Sequence, residues 1–171
     1  YQRLKLMKFL SVAVLSLVAL SSTAQQKFGH VDSEALFYSM PEVKTIQTQL
    51  QTKSKEYENQ LKTLYTQYET IIADIEENGN SYMQAVLEQK YKDAYGLEER
   101  IVALEEKAQE ELVKLETKLF QPVEQKAYQA IQDVAAANGY TYVLDSSLGV
   151  FLVLPEVDDI TNLVKSKLGI Y

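Results

Sequence analysis

Apolar residues recur at three- and four-residue steps over most of this chain. From Pro41 to Asn78 the stripe reads Val43, Ile46, Leu50, Tyr57, Leu61, Leu64, Tyr68, Ile71 and Ile75. From Tyr82 to Gln121 it reads Leu87, Tyr91, Ala94, Leu97, Ile101, Leu104, Ala108, Leu112, Leu115 and Leu119. Both stripes predict amphipathic helices. Each contains two consecutive four-residue steps, one through polar Ser54 and one at Leu104, Ala108 and Leu112, which are stutters in a heptad pattern. Between the stripes, "ENGNS" (77–81) predicts a stop. Asn78 or Gly79 suits a left-handed C-cap, and Asn80 or Ser81 can begin the next helix. A chain that folds back at Gly79 makes residues 41–121 a hairpin arm, an antiparallel coiled coil with its tip near 77–81. Ser54 then faces roughly position 105, and each helix is about 55–60 Å long at 1.5 Å per residue.

The flanks follow a different pattern. "KFGHV" predicts a short strand, and Asp32 or Ser33 can cap a brief helix through Tyr38. Pro41 suits a first helical turn. Pro122 is expected to break or kink the chain. Val123, Ala127, Ala130, Ile131, Val134 and Ala135 then predict a helix that ends at Asn138-Gly139. "YTYVLDSSLGVFLVLP" (140–155) reads as two apolar strands around a Ser-Ser-Leu-Gly turn. Val143 and Leu144 lie on the first strand, and Val150, Phe151, Leu152 and Val153 on the second. Val150 to Leu154 is apolar on both faces, which predicts a strand buried on both sides. The last segment predicts a turn, a cap at Asp158 or Asp159, a short helix and a stop at Gly169. The fold class is therefore α+β, mostly α. One chain offers little to cover so apolar a hairpin, and a small sheet alone is a poor folding unit. Subunit association is the expected remedy.

Composition removes several functions. Cys is absent, which excludes a disulfide framework, thiol chemistry and an acylated cysteine. Met7 reads as the initiator, Lys8 as a positive n-region and "FLSVAVLSLVAL" (9–20) as a signal h-region too short to span a bilayer. Ser22 and Ala24 are the small residues expected before a cleavage site, so residues 1–24 are expected to be an export leader cut after Ala24; an uncleaved anchor is the alternative. Removing them leaves 14 basic and 24 acidic residues, a net charge of −10. So acidic a chain is a poor partner for nucleic acid or anionic lipid.

Candidate chemistry is sparse. There is no P-loop and no GxSxG, no cofactor is expected, and the lone His30 falls in a predicted strand. Asp158-Asp159 could serve acid–base work, but capping explains the pair better. An enzyme is not expected. Glu58–Lys62, Glu88–Lys92 and Glu110–Lys114 are spaced to pair along exposed helix faces. The doublets Glu98-Glu99, Glu105-Glu106 and Glu110-Glu111 read as a solvated face or a partner site, with no EF-hand spacing to favour a metal. Tyr57, Tyr68 and Tyr91 fall in the seam and are expected to pack there. Tyr65 and Tyr95 fall beside it and offer amphipathic surface.

Taken together, these residues resemble the Skp/OmpH family of periplasmic chaperones over about 27–168. "FGHVDSEALFYSMPEV" is similar to the family's strand–helix opening with its x-V-D element. "QPVEQKAYQAIQDVAAANGYTYVLD" resembles its P-V-x-x-K-x-x-x-A-I-x-x-V-A-x-x-x-G-Y-x-Y-V-L-D, and "DDITNLVKSKLG" its D-I-T-x-x-V-x-x-x-L. The resemblance implies a homotrimer in which 25–40 and 122–171 form a β-body and three arms enclose a cavity. It implies an ATP-independent holdase for unfolded outer-membrane β-barrel proteins, with Val143, Leu144, Val150, Phe151, Leu152 and Val153 as apolar strand residues of the body and Tyr65 and Tyr95 as the candidates for contact with clients. The tip departs from the family's basic pattern: Asn78, Gly79 and Asn80 lie beside Asp74, Glu76 and Glu77. That acidity argues against membrane or lipopolysaccharide contact. A structural or adaptor coiled coil of the envelope is the other reading. The weak seam residues Ser54, Ala94 and Ala108 favour an arm that flexes over a rigid scaffold.

Overall fold

The computed structural model describes residues 26–170. In chain order they form β1 (Phe28–Val31), α1 (Ser33–Ser39), α2 (Pro41–Asn78), a 3-10 turn (Gly79–Ser81), α3 (Gln84–Ala137), β2 (Tyr142–Asp145), a second 3-10 turn (Glu156–Asp158) and α4 (Thr161–Leu168). The leader expected over 1–24 lies outside the described residues. None of the described helices is long and apolar enough to cross a membrane.

Local chemistry places most boundaries where the pattern predicts them. Asp32 caps α1 by accepting from the Ala35 N–H at 2.8 Å. Pro41 opens α2 at a position that has no helical hydrogen bond to lose. Gly139 (φ +70°) and Gly169 (φ +74°) follow the ends of α3 and α4 in the left-handed conformation. At the start of α4, Asp159 receives the Thr161 N–H at 2.8 Å, while Ile160 takes the cap position and Asp158 belongs to the preceding turn.

Pro122 does not break the chain. It lies inside α3, which continues for 54 residues. The ring is exposed, while Leu119, Phe120, Val123 and Ala127 on the neighbouring turns pack into the core. Packing on both sides outweighs one missing bond to the Lys118 carbonyl. Pro122→Ala is therefore expected to stabilise the protein by about 2 kcal/mol. That is the Pro–Ala helix difference of about 3 kcal/mol, less about 1 kcal/mol for the freedom alanine restores to the unfolded chain. Urea unfolding measures it; no gain would mean that α3 is not continuous in solution.

The turn between the arm helices also differs from expectation. Gly79 is right-handed (φ −55°, ψ −35°), its N–H still bonds the Ile75 carbonyl, and the chain keeps coiling through Ser81. Neither Asn80 nor Ser81 caps the next helix; Met83 holds that position in an extended conformation. The later turn shifts the pairing of the arms. Glu105, expected near Ser54, instead accepts from the Tyr65 hydroxyl at 2.8 Å, and Tyr57 reaches Glu111. Of the expected surface pairs, Glu110–Lys114 is present, whereas Glu58 pairs with Lys55 and Glu88 accepts from Gln84.

The two strands lie parallel, in register Phe28↔Tyr142 through Val31↔Asp145. The whole arm is thus the crossover connection that a parallel pair requires. On the other side of β1, His30 bridges to Asp159, so β1 is central and β2 is an edge. Gly29 lets the Tyr140 ring lie against β1; a Cβ there would stand 2.9 Å from it.

The hairpin expected at 140–155 does not form within the chain. Its first strand is β2, but Val150 to Leu154 is not a strand and is not buried. The Asp145 carboxylate explains the divergence. It accepts from the Ser147 N–H at 3.0 Å and its hydroxyl at 2.7 Å, and from the Ser33 hydroxyl at 2.5 Å. These bonds turn the chain toward the start of α1 and away from the edge of β2.

The main core joins the sheet to α1, α4 and the bases of the arm helices. Leu36, Met40, Val43, Ile160 and Val164 are fully buried in it, with Val31, Ile46, Val123, Ala130 and Val134 around them. A second cluster, built on Leu64, Leu97 and Ile101, lies along the arm.

Candidate functional site

Two surfaces remain after the core is accounted for. The first is the edge of the body. Val150 (67%), Leu152 (101%) and Val153 (83%) are exposed, with Phe151 at 40% and Leu148 and Val157 beside them in sequence also exposed. Val143 and Leu144 on β2 are half-buried. At the start of the sheet Phe28 and Tyr142 stack with ring centroids 5.3 Å apart, and both stay half-exposed. An unpaired strand edge beside a contiguous apolar segment is what a soluble chain normally covers. The exposed Phe28–Tyr142 pair was missed in the sequence, although aromatic residues in two predicted strands are a signal for such a stack.

The return segment is tied to the body through His30. Its Nε2 lies 2.9 Å from the Pro155 carbonyl, and the Ile160 N–H bonds the His30 carbonyl at 2.9 Å. The imidazole is buried, and among the described residues no group of three metal-ligating side chains is gathered.

The second surface is the arm. Its seam is narrow: Ala94 and Ala108 are buried as the pattern predicts, while Ser54 is half-buried. Polar clasps supplement it. Tyr57 donates to Glu111, Tyr65 to Glu105, and Tyr82 to both oxygens of Asp74 at 2.7 and 2.8 Å. Tyr57 is buried in the seam, but Tyr91 is 43% exposed and does not pack there as expected. The shifted register puts Tyr91 on the rim. Tyr65 and Tyr95 are 42% and 64% exposed, Tyr65 being held by its clasp.

At the tip, Asn78 closes α2, and Gly79 and Asn80 form the 3-10 turn. Lys90 lies 2.5 Å from Asp74 across the turn. The Lys90 ammonium, the Tyr82 hydroxyl and the Asn78 amide together pull the Asp74 carboxyl down to about 2. A carboxylate with a lowered folded value stabilises the tip fully above its unfolded value of 3.8, and that contribution is lost as pH falls toward about 2. Carbon-13 NMR of the Asp74 carboxyl is expected to show a midpoint near 2; a midpoint near 3.8 would mean that the clasp is open in solution.

The comparisons agree with this architecture. The family of outer membrane proteins described as OmpH-like matches residues 27–168. The crystal structure of a candidate outer membrane chaperone (OmpH-like) from Caulobacter crescentus CB15 superposes with a TM-score of 0.67 at 22% identity. That match covers 84% of this chain and 83% of the other, and shows a shared fold. No match is found among curated proteins. A core that joins the first and last described elements, an arm inserted between its two strands, and a family match over nearly all the described residues lead to one assignment: the chain belongs to the OmpH-like outer membrane protein family.

Proposed function

We propose that this protein is a periplasmic, ATP-independent holdase that keeps unfolded outer-membrane β-barrel proteins from aggregating. In this reading residues 25–40 and 122–171 form an assembly body, three copies associate through it, and the arms of residues 41–121 enclose the client. The reading rests on two uncovered features, the exposed apolar segment Val150–Val153 and the open edge of β2. Association of copies at that edge would cover it and fix the arms around one axis. The narrow seam supports a gripping role. Small buried residues and hydroxyl–carboxylate clasps hold the helices together with little apolar area, so the arm can bend around clients of different size.

The test is suppression of aggregation. A urea-unfolded barrel protein diluted into buffer should stay soluble, by light scattering, when three copies of this chain are present per client. Aggregation unchanged by the chain would overturn the holdase reading and favour an adaptor role with one folded partner.

A further inference from the structure

The Tyr65–Glu105 clasp marks a level on the arm, and everything between those residues in sequence lies toward the tip. Residues 66–104 carry eight acidic side chains and three basic ones. Among the described residues, the ion pairs of this distal part reduce to Lys90 with Asp74, which removes one of the three cations from the balance. Apolar groups are exposed on the same part: Met83, Val86, Tyr91, Tyr95 and Val102. On an exposed face of α3, Tyr95 and Val102 meet the acids directly. Tyr95, Glu98, Glu99, Val102, Ala103 and Glu106 line one shallow groove of about 530 Å³. Their spacing of three, four and seven residues puts them on a single helix face.

We propose that this distal face grips unfolded segments in which lysine or arginine stands beside aromatic or aliphatic residues. The inference rests on the holdase reading and names the client chemistry it selects. Carboxylates on an exposed helix attract cationic segments over about a Debye length, and Tyr95 and Val102 then supply non-directional contact area. Charge also decides against the competing occupants. A second copy would bring the same acidic face and repel it, and an anionic lipid surface would be repelled likewise. A soft exposed Met83 at the tip suits contact with variable sequences.

The experiment uses two synthetic peptides of equal length and identical apolar and aromatic positions, one with lysine and one with glutamate at every polar position. Fluorescence anisotropy with the mature chain should show the lysine peptide binding about tenfold or more tighter, and losing that advantage as salt is raised. Tyr95→Ser with Glu98→Gln and Glu99→Gln should weaken the lysine peptide about tenfold. Glu110→Gln with Glu116→Gln, which removes two charges nearer the body, should leave it within about twofold. Equal binding of both peptides, or equal loss in the two variants, would overturn the proposal. Aggregation of an unfolded barrel protein, measured on the same preparations, separates the two readings. Suppression without a peptide preference sinks the cationic client alone; no suppression sinks the holdase.

Discussion

If copies associate as proposed, Phe151→Asp is expected to release single, folded copies. Phe151 keeps 40% of its surface exposed and its neighbours Val150, Leu152 and Val153 more than that, so a carboxylate there can still reach water in a single copy. It would be buried only where copies meet. An unpaired carboxylate placed in an apolar interface carries a penalty of several kcal/mol per copy, enough to lower association by orders of magnitude. Leu152→Asp should act the same way, because Leu152 is fully exposed. Sedimentation velocity reads the mass, and far-ultraviolet circular dichroism reads the fold. A variant that remains assembled and helical would show that the copies meet elsewhere.

Leu36→Ala is expected to have the largest effect on the fold of one chain. Leu36 is fully buried where α1 packs against the bases of both arm helices and against α4. Truncating a buried leucine costs about 2–5 kcal/mol, and the upper part of that range applies where the surroundings cannot collapse. Here Met40 and Val43 at the start of α2 and Ile160 and Val164 at the start of α4 are themselves fully buried, so collapse is restricted. The thermal midpoint should fall by roughly 6–15 °C. Leu64→Ala on the arm should have a smaller effect, because the arm helices can close on a small cavity. A drop for Leu64→Ala as large as that for Leu36→Ala would mean that the arm is as rigid as the body.

The arm was legible because helical periodicity is local. Val43, Ile46, Leu64, Leu97 and Ile101 fall on the stripes and are buried where the stripes put them. The register was less legible. It depends on how Gly79 turns, and a right-handed Gly79 within a 3-10 turn moves every cross-arm partner. Pro122 misled for the opposite reason: its local cost is real, but core contacts on both sides hold α3 together. The hairpin at 140–155 was misread because apolar alternation states that a segment needs cover without stating where the cover comes from. β2 finds β1 across the arm, and Asp145 turns the rest away through Ser33 and Ser147. The segment that the pattern marked for burial is the one the single chain leaves exposed, and its need of cover rests on the proposed assembly.

That need can be measured directly. Light scattering coupled to size exclusion, applied to the mature chain alone and after dilution of an unfolded barrel protein, gives the number of copies and their ratio to client. The account predicts three copies without client and three copies per client with it. A single-copy mass with Val150–Val153 intact would contradict it.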